Sequence, residues 1–158
     1  MGLDMYLIKR KKGDRKKLWT CEEVMYWRKA NAIHKWFVDN CQNGEDNCKP
    51  HLVRKTKIKE LRDVCKTIID HAELIDGEIE NGRKLVDGEW VPIIEKSKVF
   101  KDTSLAESLL PTTSGFFFGS TTYDYWYYED VKRTYEKLND IIEENEFDEY
   151  NFYYESSW

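Results

Sequence analysis

Trp27, Arg28, Asn31 and His34 lie close together in the stretch YWRKANAIHKWF, residues 26–37. A guanidinium can hold an anion through two parallel hydrogen bonds, and an indole gives a flat face for a ring to stack on. An imidazole exchanges its proton near neutrality, and an amide both donates and accepts. On one side of a helix, these four would line a ligand-binding cleft. A second group sits in TTSGFFFGSTTYD, residues 112–124, where Ser114, Ser120, Tyr123 and Asp124 offer hydroxyls and a carboxylate to the same cleft. His34 also has a plainer reading, a buried ring bonded to a backbone carbonyl or a tyrosine, because no second histidine or cysteine stands at ligand spacing.

No recognised catalytic pattern accompanies these residues. Neither G-x-S-x-G nor G-x-x-x-x-G-K-[ST] occurs, so no nucleophile elbow or phosphate loop is expected. Cys41, Cys48, His51 and Cys65 could gather around zinc, but no C-x-x-C pair is present. No metal and no cofactor are expected, and catalysis is the less favoured expectation.

Other residues point to a protein partner. Trp36 and Met25 fall opposite the apolar side of a helix drawn through residues 21–41, where a tryptophan is either covered by a second layer of the fold or an exposed anchor for a partner. Trp126 belongs to an aromatic run from Phe116 to Tyr128 that no single core face can absorb. Asp130, Glu136, Asp140 and Glu143 place carboxylates along the helix that follows. The run KRKKGDRKK, residues 9–17, reads as a solvated turn; direct nucleic-acid binding through it is not favoured.

The elements that must position these groups can be read from periodicity. LDMYLIK, residues 3–9, alternates as a strand does. Thr20 and Glu23 have capping-box spacing, predicting a helix from near Cys21 that closes at Gly44. Ile58, Leu61, Cys65 and Ile68 mark a second amphipathic helix over 55–74, and residues 76–100 form a mobile flap with a hairpin turn at Asp87-Gly88. A short helix over 102–110 stops at Pro111, SGFFFGS is expected as a buried strand running into a tight loop, Asp124 caps a long helix, and residues 149–158 close as a strand. The expectation is one α+β domain over residues 1–158, a small and largely antiparallel sheet packed by about four helices. Pairing of the strands at the two ends of this sequence is part of it.

The chain has 158 residues and a formal charge of −5, which hides an asymmetry. Residues 1–66 hold 17 Lys and Arg against 9 Asp and Glu, whereas residues 67–158 hold 8 against 21. Halves of opposite sign either attract one another in the fold or face different partners. No run approaches the roughly 20 apolar residues that cross a bilayer, so no membrane partner and a cytoplasmic location are expected.

MGLDMYLIK, YWRKANAIHKWFVDN, LPTTSGFFFGSTTYD with YYED, and FYYESSW together resemble a family of uncharacterised proteins encoded by bacteriophages and prophages. KKGDRKKLW is shorter than the corresponding family segment. The resemblance implies an accessory protein acting in the cytoplasm of a bacterial host. Its expected role is to bind and inhibit a host defence component, a protein or nucleoprotein complex, in the manner of an anti-CRISPR inhibitor. The alternative expectation is a small-ligand or nucleotide-binding protein built around His34 and residues 112–124.

Overall fold

Residues 2–14 and 21–158 are described by the computed structural model of the chain. Met5 and Leu7 alternate with half-buried neighbours and form strand β1 (Asp4–Lys11). Phe152, Tyr154 and Ser156 alternate in the same way in β6 (Tyr150–Ser157). These strands pair antiparallel over their whole length, from Asp4 opposite Ser157 to Lys11 opposite Tyr150. Strand β2 (Glu22–Arg28) flanks β1 and the short β3 (His51–Val53) flanks β6, giving an antiparallel sheet of order β2-β1-β6-β3.

Helices α1 (Asn31–Cys41), α2 (Lys55–His71), α3 (Ser104–Leu109) and α4 (Tyr125–Glu144) bury their apolar residues in one cluster with the sheet. The stripe Ile58, Leu61, Cys65 and Ile68 of α2 is buried as its spacing requires, and α4 buries Tyr127, Val131, Thr134, Leu138 and Ile141. Arg62 on α2 donates to Asn139 on α4 at 3.1 Å, and Lys9 on β1 reaches Glu146 just beyond α4 at 2.7 Å. The basic and acidic halves of the sequence therefore touch within the fold. No described helix is long and apolar enough to cross a membrane.

Strands β4 (Leu74–Val86) and β5 (Glu89–Phe100) form a separate two-stranded sheet. Asp87 and Gly88, with φ of 51° and 83°, make the left-handed turn that matches strand twist. Every residue from Glu80 to Trp90 is exposed, so the hairpin is an arm rather than part of the core.

Three expectations are corrected. The helix does not begin near Cys21: Glu22–Arg28 is a strand, with Met25 and Trp27 turned into the core, and α1 starts at Asn31. Glu23 therefore pairs with Ile8 rather than capping a helix, and Thr20 lies outside the described residues, as do Arg15 to Lys17 of the basic run. Trp36 and Met25 are not exposed anchors; each is 8% exposed, and Trp36 packs edge-to-face on Phe37. Residues 112–123 form no strand but a loop with Phe116 and Phe117 outside and Phe118 buried; the single bridge of Asp124 to Val99 is the one sheet-like pairing described there.

Candidate functional site

Strand β2 turns into α1 through two residues. Lys29 adopts φ 56°, a left-handed conformation rare for a residue with a side chain, and Ala30, at φ −78° and ψ 68°, forms an inverse γ-turn closed by Asn31 N–H donating to Lys29 O at 2.9 Å. No side chain caps α1, and the N–H groups of Ala32 and Ile33 have no acceptor among the described residues. The tight turn leaves this helix start open, with Arg28 and Lys29 beside it. Neither cation has an ion-pair partner among the described residues.

The loop after Pro111 closes over this turn and is held there by Asn31. The Asn31 amide N–H groups donate to Phe118 O at 3.1 Å and Ser120 O at 2.8 Å, while its carbonyl accepts from Thr113 N–H at 3.0 Å. These partners fix which way the amide points. Two glycines make the closure feasible. A Cβ on Gly115 would lie 2.4 Å from the Phe118 ring, and one on Gly119, at φ 86°, would lie 3.1 Å from Lys29 Cβ.

Helix α4 is the third wall. Asp124 caps it, accepting from Tyr127 N–H at 3.0 Å. Trp27, fully buried, donates its indole N–H to Thr134 Oγ1 at 2.8 Å, and Thr134 in turn donates to Asp130 O at 2.6 Å. This chain sets Asp130 at a fixed height opposite the β2–α1 turn.

The three walls enclose a cavity of about 240 Å³. Arg28, Lys29 and residues 30–33 of the turn and α1 line it, with Thr112, Gly119, Ser120 and Thr122 from the loop and Asp124, Trp126 and Asp130 from α4 and its cap. Trp126, 53% exposed, stands at the rim. Burial pushes the Asp130 carboxyl up to about 7; Arg133 opposes the rise, and the neighbouring carboxylates Asp124 and Glu129 add to it. The Asp130 side chain has no hydrogen-bond or ion-pair partner among the described residues. Two cations without ion-pair partners and an unpartnered carboxyl thus line one cavity.

Of the cleft residues expected from sequence, Arg28, Asn31, Ser120 and Asp124 line this cavity. Trp27 lies behind it as a brace. Tyr123 accepts from Thr112 N–H at 3.1 Å and packs on Tyr127, and Ser114 is exposed on the loop; neither lines the cavity. His34 is 1% exposed and closed off. Its Nε2 lies 2.8 Å from Asp46 Oδ2 and its Nδ1 2.6 Å from the Tyr154 hydroxyl. A carboxylate can only accept, so Nε2 carries a proton, and Nδ1 shares a hydrogen bond with the Tyr154 hydroxyl, whose phenol burial holds well above its ordinary range. Phe118 sets its ring against His34 at 5.2 Å, so His34 and the aromatic loop are neighbours, but through packing rather than a shared recess.

Of the residues expected to meet a partner, Trp36 is core, and Trp126 and Asp130 belong to the cavity. Glu136, Asp140 and Glu143 are exposed on α4. The four cysteines are free thiols; burial pushes Cys41 up to about 11 and Cys65 further. No group of three metal-ligating side chains forms among the described residues. Lys29, Thr112 and Thr122 were not foreseen. The four-residue spacing of Trp126 and Asp130 was a usable signal for their shared face; nothing in the sequence marks Lys29. No family model, curated protein or solved structure matches the chain.

Proposed function

We propose that the chain is a small-ligand-binding protein and that the cavity between the β2–α1 turn, the loop after Pro111 and α4 is its site. One observation carries this reading: Arg28 and Lys29, which have no ion-pair partner among the described residues, and the half-buried Asp130 carboxyl line one walled cavity that contains an exposed indole. Folding alone gains nothing from leaving such groups unpaired, whereas a ligand with an anionic end and a donor-bearing ring satisfies both. The test is thermal unfolding against a panel of nucleotides, amino acids and sugar phosphates. An occupied native site raises the midpoint by mass action, and Ser120→Trp, filling the loop wall, removes the response. A panel in which nothing moves the wild-type midpoint defeats the reading.

A second reading, inhibition of a host defence component by a phage accessory protein, is favoured by Glu136, Asp140 and Glu143, which leave a row of carboxylates open on α4. Such a row could occupy a basic nucleic-acid-binding surface of the target. In a bacterial strain whose immunity the wild-type chain abolishes, the triple reversal Glu136→Lys, Asp140→Lys, Glu143→Lys should restore immunity. Undiminished inhibition by that variant removes the acidic row as the means.

A further inference from the structure

Resting on the small-ligand reading, we propose that the cavity binds a guanine nucleoside monophosphate, with the base on Trp126 and its N–H edge on Asp130, and the phosphate held by Arg28 and Lys29.

Trp126 and Asp130 are one helical turn apart on α4, which places the indole and the carboxyl side by side. A flat ring lying on Trp126 brings its edge to that carboxyl. A carboxylate offers two acceptors and no donor, and among the common bases guanine presents two adjacent N–H donors, on N1 and N2. Adenine presents one donor and one acceptor on the corresponding edge and leaves half of the carboxylate unmet. A site built to receive two donors discriminates strongly against an analogue that lacks one.

Arg28 and Lys29, both exposed, line the cavity together with Ala32 and Ile33 of the uncapped α1 start. Two cations exceed the need of a single carboxylate and suit the double charge of a phosphate monoester. Because both cations are exposed, the phosphate sits at the solvent edge, with the base between Trp126 at the rim and the Asp130 carboxyl. The cavity, about 240 Å³, is smaller than the roughly 300–1,000 Å³ of pockets that take drug-sized ligands, so it encloses no ligand as large as a dinucleotide. Thr112, Ser120 and Thr122 supply hydroxyls on the loop wall, where a ribose would lie.

The proton on Asp130 gives the proposal a directional test. Asp130 stands in the field of Asp124, Glu129 and Arg133 on its own helix and its cap; Arg28 and Lys29 belong to the lining of the same cavity. Guanine needs the ionised carboxylate, so binding releases a proton from the fraction still protonated. Affinity for guanosine, which has no phosphate titrating near pH 6, should rise from pH 6 to pH 8. Adenine would use the protonated carboxyl, and its affinity would fall over the same interval.

Calorimetric titration of the full chain with guanosine, inosine and adenosine monophosphates, guanosine and inorganic phosphate, at pH 6 and pH 8, decides the matter. Expected are binding of guanosine that strengthens with pH, and affinity for guanosine monophosphate at least tenfold tighter than for the inosine nucleotide or for guanosine. Trp126→Ala should lose at least tenfold. Arg28→Ala should weaken guanosine monophosphate but not guanosine. Asp130→Asn, nearly isosteric, should lose the pH dependence of guanosine binding and prefer xanthosine monophosphate, whose C2 position carries an acceptor oxygen. Adenosine monophosphate binding more tightly than the guanine nucleotide, guanosine affinity falling as pH rises, or inorganic phosphate binding as well as the nucleotide overturns the proposal. If the guanine nucleotide leaves the melting midpoint unchanged while an amino acid or sugar phosphate raises it, this inference fails and the cavity reading stands; if nothing raises it, both fail.

Discussion

Single residues decide the behaviour of the cavity, and Asp130 is the most consequential. Its folded carboxyl titrates near 7 against an ordinary 3.8, so between those values the folded chain keeps a proton that the unfolded chain has released. Stability therefore falls as pH rises from about 4 to about 7 and is flat above. Asp130→Asn should remove that slope and raise stability at pH 8 by about 1–3 kcal/mol, with no gain at pH 4, a range discounted for water at the cavity mouth. Urea unfolding at the two pH values measures it; equal effects at both would deny the buried carboxyl. Asn31 carries the opposite expectation. Its three hydrogen bonds tie the loop to α1, and Asn31→Ala leaves two carbonyls and an amide unmet, costing about 2–4 kcal/mol at any pH. Asn31 was legible as a polar residue close to a cleft. Its bracing role was not, because its partners are backbone groups more than 80 residues away, which no local pattern announces.

Elements followed their local chemistry wherever that chemistry was unambiguous. The Asp-Gly turn, the apolar stripe of α2, the cap at Asp124 and the alternation of β1 and β6 all appear where the sequence places them. Residues 22–28 did not, for a physical reason: Met25 and Trp27 satisfy a period of two, while Tyr26, Ala30 and Ile33 extend the helical period of α1 backwards past its true start. The break between the two falls on Lys29, which takes a conformation normally left to glycine, so no turn residue marks it. At this scale the arm makes a clean prediction. None of residues 75–99 joins the main buried cluster, and an isolated two-stranded hairpin adds little stability. Replacing residues 81–93 with a two-residue Asn-Gly turn should leave unfolding free energy within about 0.5 kcal/mol of the wild type, measured by urea titration. A loss of several kcal/mol would mean that the arm is part of the folding unit.

The whole molecule depends on a join between distant parts of the chain. Strand β6 lies between β1 and β3, and β1 and β2 alone would make a hairpin with one apolar face open to water. Tyr154, stacked on Phe37 at 4.1 Å and hydrogen-bonded to His34, ties the same strand to α1, and Phe152 is buried in the cluster. Contacts between residues so far apart in sequence are made only after a large loss of chain entropy, so they form late and hold the structure cooperatively. Removing residues 150–158 should therefore leave no cooperative unfolding transition by circular dichroism. Removing Trp158 alone takes away the indole bonded to Asp46 at 3.0 Å and the ring beside Phe118, but leaves the sheet whole, and should cost only about 1 kcal/mol. If the chain lacking β6 still melts cooperatively, the helices and the β1–β2 pair form a core without it. The cavity, whose walls are β2, α1, the loop and α4, would then owe its shape to those elements alone, and ligand binding should survive the truncation as well.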